Sequence, residues 1–196
     1  MSSVVRPAHA VGVVATAAIA FAVGVETIEA VMAWALVSAQ VDEVTYWVSL
    51  LVHVVAGIAF VVWMNQARFN ADTITSKHQA RWTNMWVFVG WIIPVANLFI
   101  PYAVMQDVWR GSDRTQPMVG LRQRPLSGLV RAWWLCWIGS NVLATVSWRS
   151  APQDVALLIT ISTSLSIAAA VLVARMIRVV NEMQVSVPSA YPAPAA

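Results

Sequence analysis

Apolar residues gather in five long stretches, at residues 11–39, 44–64, 85–105, 129–148 and 155–176, with polar residues crowded between them. A helix needs about 20 apolar residues to cross a hydrocarbon core of about 30 Å, so each stretch is long enough to span. Glu26 and Glu29 interrupt the first stretch, and His53 sits near the middle of the second. Gly90, Pro94, Asn97 and Pro101 all fall within the third. Composition agrees with this pattern: apolar residues make up 59% of the chain and charged residues 11%, against about 45–50% and about 25% in ordinary globular domains. A soluble globular protein is excluded, and 196 residues suffice for one compact membrane domain.

The third stretch differs from the others. Pro94 has no N–H and its ring clashes with the preceding turn, which disfavours a straight helix through Trp91, Ile92 and Ile93. A kinked span and a segment that turns back are separated by charge, because Lys and Arg collect in cytoplasmic loops. Five spans with an internal N-terminus put five of the twelve basic residues inside and seven outside, and the reverse orientation gives seven and five. If the third stretch instead enters and leaves on the cytoplasmic side, eleven basic residues are inside and only Arg149 is outside. The first external loop then carries Asp42 and Glu43.

The sequence therefore predicts an all-α integral membrane protein with four transmembrane helices, at residues 11–39, 44–64, 129–148 and 155–176. A Pro-broken re-entrant or interfacial helical hairpin is expected at 82–109, with legs at 82–93 and 96–109, and both termini are expected in the cytoplasm. Residues 1–184 read as a single membrane domain, with a cytoplasmic basic loop at 110–128. Residues 185–196, rich in Pro, Ala and Ser, read as a disordered tail. Only Arg6 precedes the first apolar run, which continues well past the length of a signal-peptide core, so no cleaved signal is expected. The net charge of +3 is not concentrated on a face that would suit nucleic acid. A single cysteine, Cys136, excludes an internal disulfide, a Cys-based zinc site and an iron–sulfur cluster.

Between residues 63 and 137 the chain carries a distinctive string. Trp63 is followed by Arg68 and Asn70, then by Gly90-Trp91-Ile92-Ile93-Pro94-Val95-Ala96-Asn97-Leu98 and Pro101. Asp107-Val108-Trp109-Arg110 and a cluster of Trp133, Trp134 and Trp137 complete it. In this pattern the chain resembles the DUF4328 family of small multi-span proteins, found mostly in actinobacteria, over most of its length. The resemblance implies a multi-pass bacterial plasma-membrane protein and supplies no catalytic residue to carry over.

Candidate chemistry lies in the spans. Glu26 and Glu29 are three residues apart and share a helical face. If the first two spans form a symmetric hairpin turning near residue 41, position 29 lies level with position 53, which puts Glu29 beside His53. Ionisable groups at the bilayer centre cost about 2.5–3.5 kcal/mol each on insertion scales and are functional candidates by default. Two readings follow: a proton-linked or cation site with Glu29 as carrier, or a hydrogen-bonded pair that holds two helices together. Asn141 and Thr145, with Ser162 and Ser166, face either the same interior or a neighbouring helix. A metal on two Glu and one His is disfavoured, since no second His lies in a span, and bis-His haem is excluded for the same reason. No phosphate-binding glycine loop, H-E-x-x-H or G-x-S-x-G motif occurs, so no catalytic residue, metal or cofactor is expected.

The remaining features read as packing and membrane contact. Ala132, Cys136, Ser140 and Ala144 recur every four residues, as do Ser162, Ser166, Ala170 and Ala174, and such ridges let helices approach closely. Trp47 and Trp148 near external ends, with Trp63, Trp82, Trp86, Trp109, Trp133 and Trp134 near internal ends, suit interfacial belts. An aromatic cage for a cation is the sharper alternative. Five arginines from Arg110 to Arg131, opposed only by Asp113, suit anionic lipid head groups at the cytoplasmic face. The function expected is that of a non-enzymatic accessory or scaffold subunit binding another membrane protein or itself. The alternative is a small transporter or proton-coupled channel component using Glu26, Glu29 and His53.

Overall fold

The computed structural model describes residues 8–35, 43–75, 82–115 and 118–185. Among these residues every regular element is helical: α1 (His9–Ala35), α2 (Glu43–Ile74), α3 (Trp86–Ile92), α4 (Pro94–Asn97), α5 (Ile100–Ser112), α6 (Gly128–Ser147) and α7 (Pro152–Val185). Of these, α1, α2, α6 and α7 are long and apolar enough to cross a membrane. Residues 36–39 of the expected first span and 186–196 of the expected tail lie outside the described residues.

Pairwise contacts fix the directions. Gly12 of α1 lies against Ile177 and Asn181 of α7, and Trp34 near the other end of α1 donates to Thr160, so α1 and α7 are antiparallel. Gly12 also meets Trp63 of α2, and Glu26 meets His53, which makes that pair antiparallel too. Ser162 of α7 donates to the Ser140 carbonyl of α6 at 2.9 Å, where the two small-residue ridges touch. The start of α1 and the ends of α2 and α7 therefore share one end of the bundle with the start of α6. That end holds Arg68, Arg110, Arg114, Arg122, Arg124, Arg131, Arg175 and Arg178, and is called the basic end below; Arg149 sits at the opposite end.

Two helices outrun their apolar stretches. α2 continues from residue 64 to Ile74 and α7 from residue 176 to Val185. With 32 residues, α2 is about 48 Å long, well beyond the hydrocarbon thickness. Hydropathy falls after Met64 because Asn65, Gln66 and Arg68 are polar, yet Ala67 and Ala71 continue the buried face and nothing breaks the helix.

The third apolar stretch turns back on itself. Ile93 precedes a proline and takes extended backbone (φ −82°, ψ 117°), which ends α3. Pro94 then opens α4, where its missing N–H has no helical partner to lose. Phe99 (φ −132°, ψ −38°) breaks the chain again, and Pro101 lies in the first turn of α5. The returning leg packs closely on the first, since a Cβ on Gly90 would lie 3.0 Å from Ile100 Cγ2. Against the expected legs at 82–93 and 96–109, the first helix starts only at Trp86, and α4 is a single turn ahead of α5.

This hairpin fills the basic end, where the core lies. Phe60, Trp63, Met64, Val87, Val104, Met105, Val108, Trp133, Trp134, Ile177 and Val180 are buried together. The placing of Trp63, Trp133 and Trp134 in an interfacial belt is thereby corrected. Phe60 and Trp133 stand 5.5 Å apart, Trp134 stacks on Trp137 at 4.8 Å, and Trp91 of the hairpin meets Trp137 edge-on at 5.6 Å. Covered by the hairpin, these rings form a core rather than a lipid-facing girdle. At the opposite end Tyr46, Trp47 and Trp148 stay exposed in a mutual cluster, as interfacial aromatics do.

Candidate functional site

The basic end is closed by a buried polar network. Arg68 and Asp72 are one turn apart on the α2 extension, with Nε 3.3 Å from Oδ1. Asp107 of α5 lies 3.8 Å from Arg68 Nη1, and Arg68 Nη2 donates to the Trp82 carbonyl at 2.8 Å. One guanidinium thus ties α2 to both sides of the hairpin. A second layer joins α2, α5 and α7: Asn70 Nδ2 donates to Gln184 Oε1 at 3.0 Å. Gln184 Nε2 donates to the Ala67 carbonyl and to Ser112 Oγ, each at 2.8 Å. Trp63 Nε1 donates to Asn181 Oδ1 at 3.1 Å. Buried polar groups are stabilised by bonding, and here the bonds among Trp63, Ala67, Asn70, Ser112, Asn181 and Gln184 also pin α2, α5 and α7 to one another.

Two further locks fix the segment between α5 and α6. Gln106 and Ser127 exchange bonds, Nε2 to the Ser127 carbonyl at 3.0 Å and the Ser127 N–H to Oε1 at 2.9 Å. Arg124, only 4% exposed, donates to the carbonyls of Arg110, Asp113 and Val119. The reading of the five loop arginines as a solvated lipid-facing set therefore does not extend to Arg124, whose charge is spent on capping backbone. Arg114 likewise donates to the Gln184 carbonyl at 2.9 Å, while Arg122 and Arg131 remain exposed.

The string singled out in the sequence divides into three structural parts. Arg68, Asn70 and the Arg110 carbonyl belong to the polar network. Gly90, Pro94, Asn97 and Pro101 shape the hairpin turn. Trp63, Trp91, Trp109, Trp133, Trp134 and Trp137 build or flank the aromatic core. Asp72, Gln106, Ser112, Arg124, Asn181 and Gln184 were not anticipated. The readable signal was the i,i+4 pairing of Arg68 with Asp72, and the fall of Asn181 and Gln184 on the face of Ile177 and Val180.

A second polar group lies within the spans. His53 Nε2 is 3.9 Å from Glu26 Oε2, and Thr163 Oγ1 donates to Glu26 Oε1 at 3.3 Å. His53 Nδ1 lies 2.8 Å from the Ser49 carbonyl. Three helices, α1, α2 and α7, meet at these side chains. Nine residues separate His53 from Val44 and eleven from Met64, or about 14 and 16 Å, so the group lies near the middle of the apolar run.

The expected pairing of Glu29 with His53 is corrected: Glu26, one turn earlier, faces the imidazole. The α1–α2 pair is not symmetric about residue 41, and its register is offset by about one helical turn. Asn141 lies apart from the group, exposed on the outward side of α6, with Nδ2 donating to the Trp137 carbonyl at 2.7 Å. Thr145 is also exposed and donates to the Asn141 carbonyl. Among the described residues no three His, Cys, Asp or Glu side chains converge as metal ligands.

No curated protein and no solved structure matches the chain. Residues 26–182, which take in the mid-span group, the hairpin and nearly all of the polar network, match the family described as Domain of unknown function (DUF4328), and the chain belongs to that family.

Proposed function

We propose that this DUF4328 protein is a non-enzymatic accessory or scaffold subunit of the bacterial plasma membrane, which binds another membrane-spanning helix through the outward face of α6. The observation that carries this reading is Asn141, an amide exposed on an apolar span six residues before the end of α6, its Nδ2 held only by the Trp137 carbonyl of the same helix and with Val142 and Val146 exposed beside it. An amide facing hydrocarbon is costly. Bonding to a neighbouring helix relieves the cost, and such bonds contribute about 0.6–2 kcal/mol each. The polar groups of the basic end are turned inward on one another, which suits a rigid body more than an open site.

In this reading the basic end faces the cytoplasm with both termini, by the excess of arginine there. The hairpin re-enters the inner leaflet. Its turn exposes Ile92, Val95 and Phe99 at 77%, 71% and 66%, and sits level with Phe60 and Trp137 through Trp91. Phe60 lies four residues inside the end of the apolar run, about 6 Å deep. The exposed Arg122, Arg131, Arg175 and Arg178 then meet anionic head groups, each contributing about 1 kcal/mol.

A photo-crosslinking residue placed at Val142 of the full-length protein in native membranes tests the docking face. A discrete protein adduct, either a second copy or a different chain, that disappears with Asn141→Val is the expected result. Adducts to lipid alone from a folded protein would overturn the reading.

A further inference from the structure

We infer that Glu26 and His53 hold one proton between them, forming a proton-binding site that joins α1, α2 and α7 at mid-span, with the His53 side chain 43% exposed at the edge of the helix packing. This does not rest on the docking role of α6. A backbone carbonyl can only accept, so the 2.8 Å contact of His53 Nδ1 with the Ser49 carbonyl assigns a hydrogen to Nδ1. Nε2 is left as the exchanging nitrogen, and it lies 3.9 Å from Glu26 Oε2, within ion-pair range and one short approach from a hydrogen bond. The second carboxyl oxygen of Glu26 accepts from Thr163 of α7.

Counting protons then decides the state. With none between Nε2 and the carboxylate, a negative charge sits in an apolar span beside a bare nitrogen lone pair. With two, the group is positive. With one, imidazolium and carboxylate, or imidazole and carboxylic acid, together carry no net charge, and an apolar setting favours that state strongly. Few other charges bear on it. On α1 the other carboxylate is Glu29, one turn from Glu26. On α2 no carboxylate or permanent cation lies between Glu43 and Arg68, and on α7 none lies between Asp154 and Arg175. On α6 only Cys136 is ionisable between Arg131 and Arg149. The contact of three helices is therefore coupled to a single proton, with Glu26 and His53 as its two holders and Thr163 and Ser49 as positioning residues.

The test is nitrogen NMR of the full-length protein in lipid nanodiscs, labelled at histidine, with His53 assigned by the signal lost in His53→Gln. At neutral pH the expected spectrum shows Nδ1 carrying hydrogen and Nε2 sharing one. In Glu26→Gln at the same pH, Nε2 moves to the position of a bare nitrogen, whereas Glu29→Gln leaves it in place. A purely structural contact predicts no such move, and an Nε2 signal unchanged by Glu26→Gln overturns the inference. Should Glu26→Gln fail to fold, the Glu26 carboxyl carbon is followed in the unaltered protein. Titration of that carbon together with Nε2 supports the shared proton, and independent titration overturns it.

Discussion

Arg68 is a permanent cation with only 2% of its surface exposed, held by two carboxylates and a carbonyl on three segments of chain. Burial of that kind is stable only while every partner remains, so truncating one member costs more than the bond was worth. Arg68→Ala is expected to destabilise the protein by about 3–5 kcal/mol, read as a fall in thermal stability in detergent by tryptophan fluorescence. Arg68→Lys rescues little, because a point charge lacks the planar fork that reaches Asp72, Asp107 and the Trp82 carbonyl together. Arg124 and Arg122 separate structure from surface. Arg124→Gln removes charged donors from three carbonyls and costs about 3 kcal/mol, while Arg122→Gln leaves stability unchanged and weakens binding to anionic vesicles. Gly12 makes the closest approach of α1 to α7, and a Cβ there would lie 2.6 Å from Asn181 Nδ2. Gly12→Ala must push the Asn181 amide off Trp63, at about 1–3 kcal/mol in the same assay.

At the scale of elements, the hairpin is the feature on which the architecture turns. Its first leg ends where a pre-proline residue cannot stay helical, and the returning leg is held by Gln106, Asp107 and Ser112. These contacts leave the apolar turn pointing away from the core, an arrangement that water would penalise and lipid would not. With Cys136→Ala as background, Val95→Cys and Phe99→Cys are expected to resist a water-soluble maleimide in intact membranes. Met118→Cys, at a residue 96% exposed in the loop, is expected to react. Equal labelling at all three sites would place the turn in water. The extensions of α2 and α7 serve the same element, because without them Asn70, Asn181 and Gln184 would have no helix to stand on.

For the whole molecule, the basic end and, among the described residues, the lone Arg149 at the opposite end make orientation a measurable property. An epitope inserted at Ser150 is expected to be reached from outside intact cells and one at Met118 only after the membrane is opened, by the positive-inside rule. The reverse result would invert every assignment of inner and outer face made above. The faces turned away from the core are apolar over α1, α2 and α6, so the folded chain is complete only with lipid or other helices around it. Stability measurements therefore belong in lipid or mild detergent.

The number of spans, the turn at Pro94 and the gathering of arginines at one end were legible in the sequence, since each depends on a residue's own preference for lipid, water or backbone angle. The partner of His53 was not legible, because a shift of one turn in the packing of α1 on α2 replaces Glu29 by Glu26 without altering any local preference. Nor was the burial of Trp63, Trp133 and Trp134, since a tryptophan near a span end suits the interface equally well until the hairpin covers it. The polar network escaped for a related reason: hydropathy marks Arg68, Asn70, Asn181 and Gln184 as the end of a span, and only the packing of α2 on α7, with α5 docked against both, supplies the partners that allow them to be buried. Transfer to lipid is decided residue by residue, whereas register and polar pairing are decided only between helices already packed together.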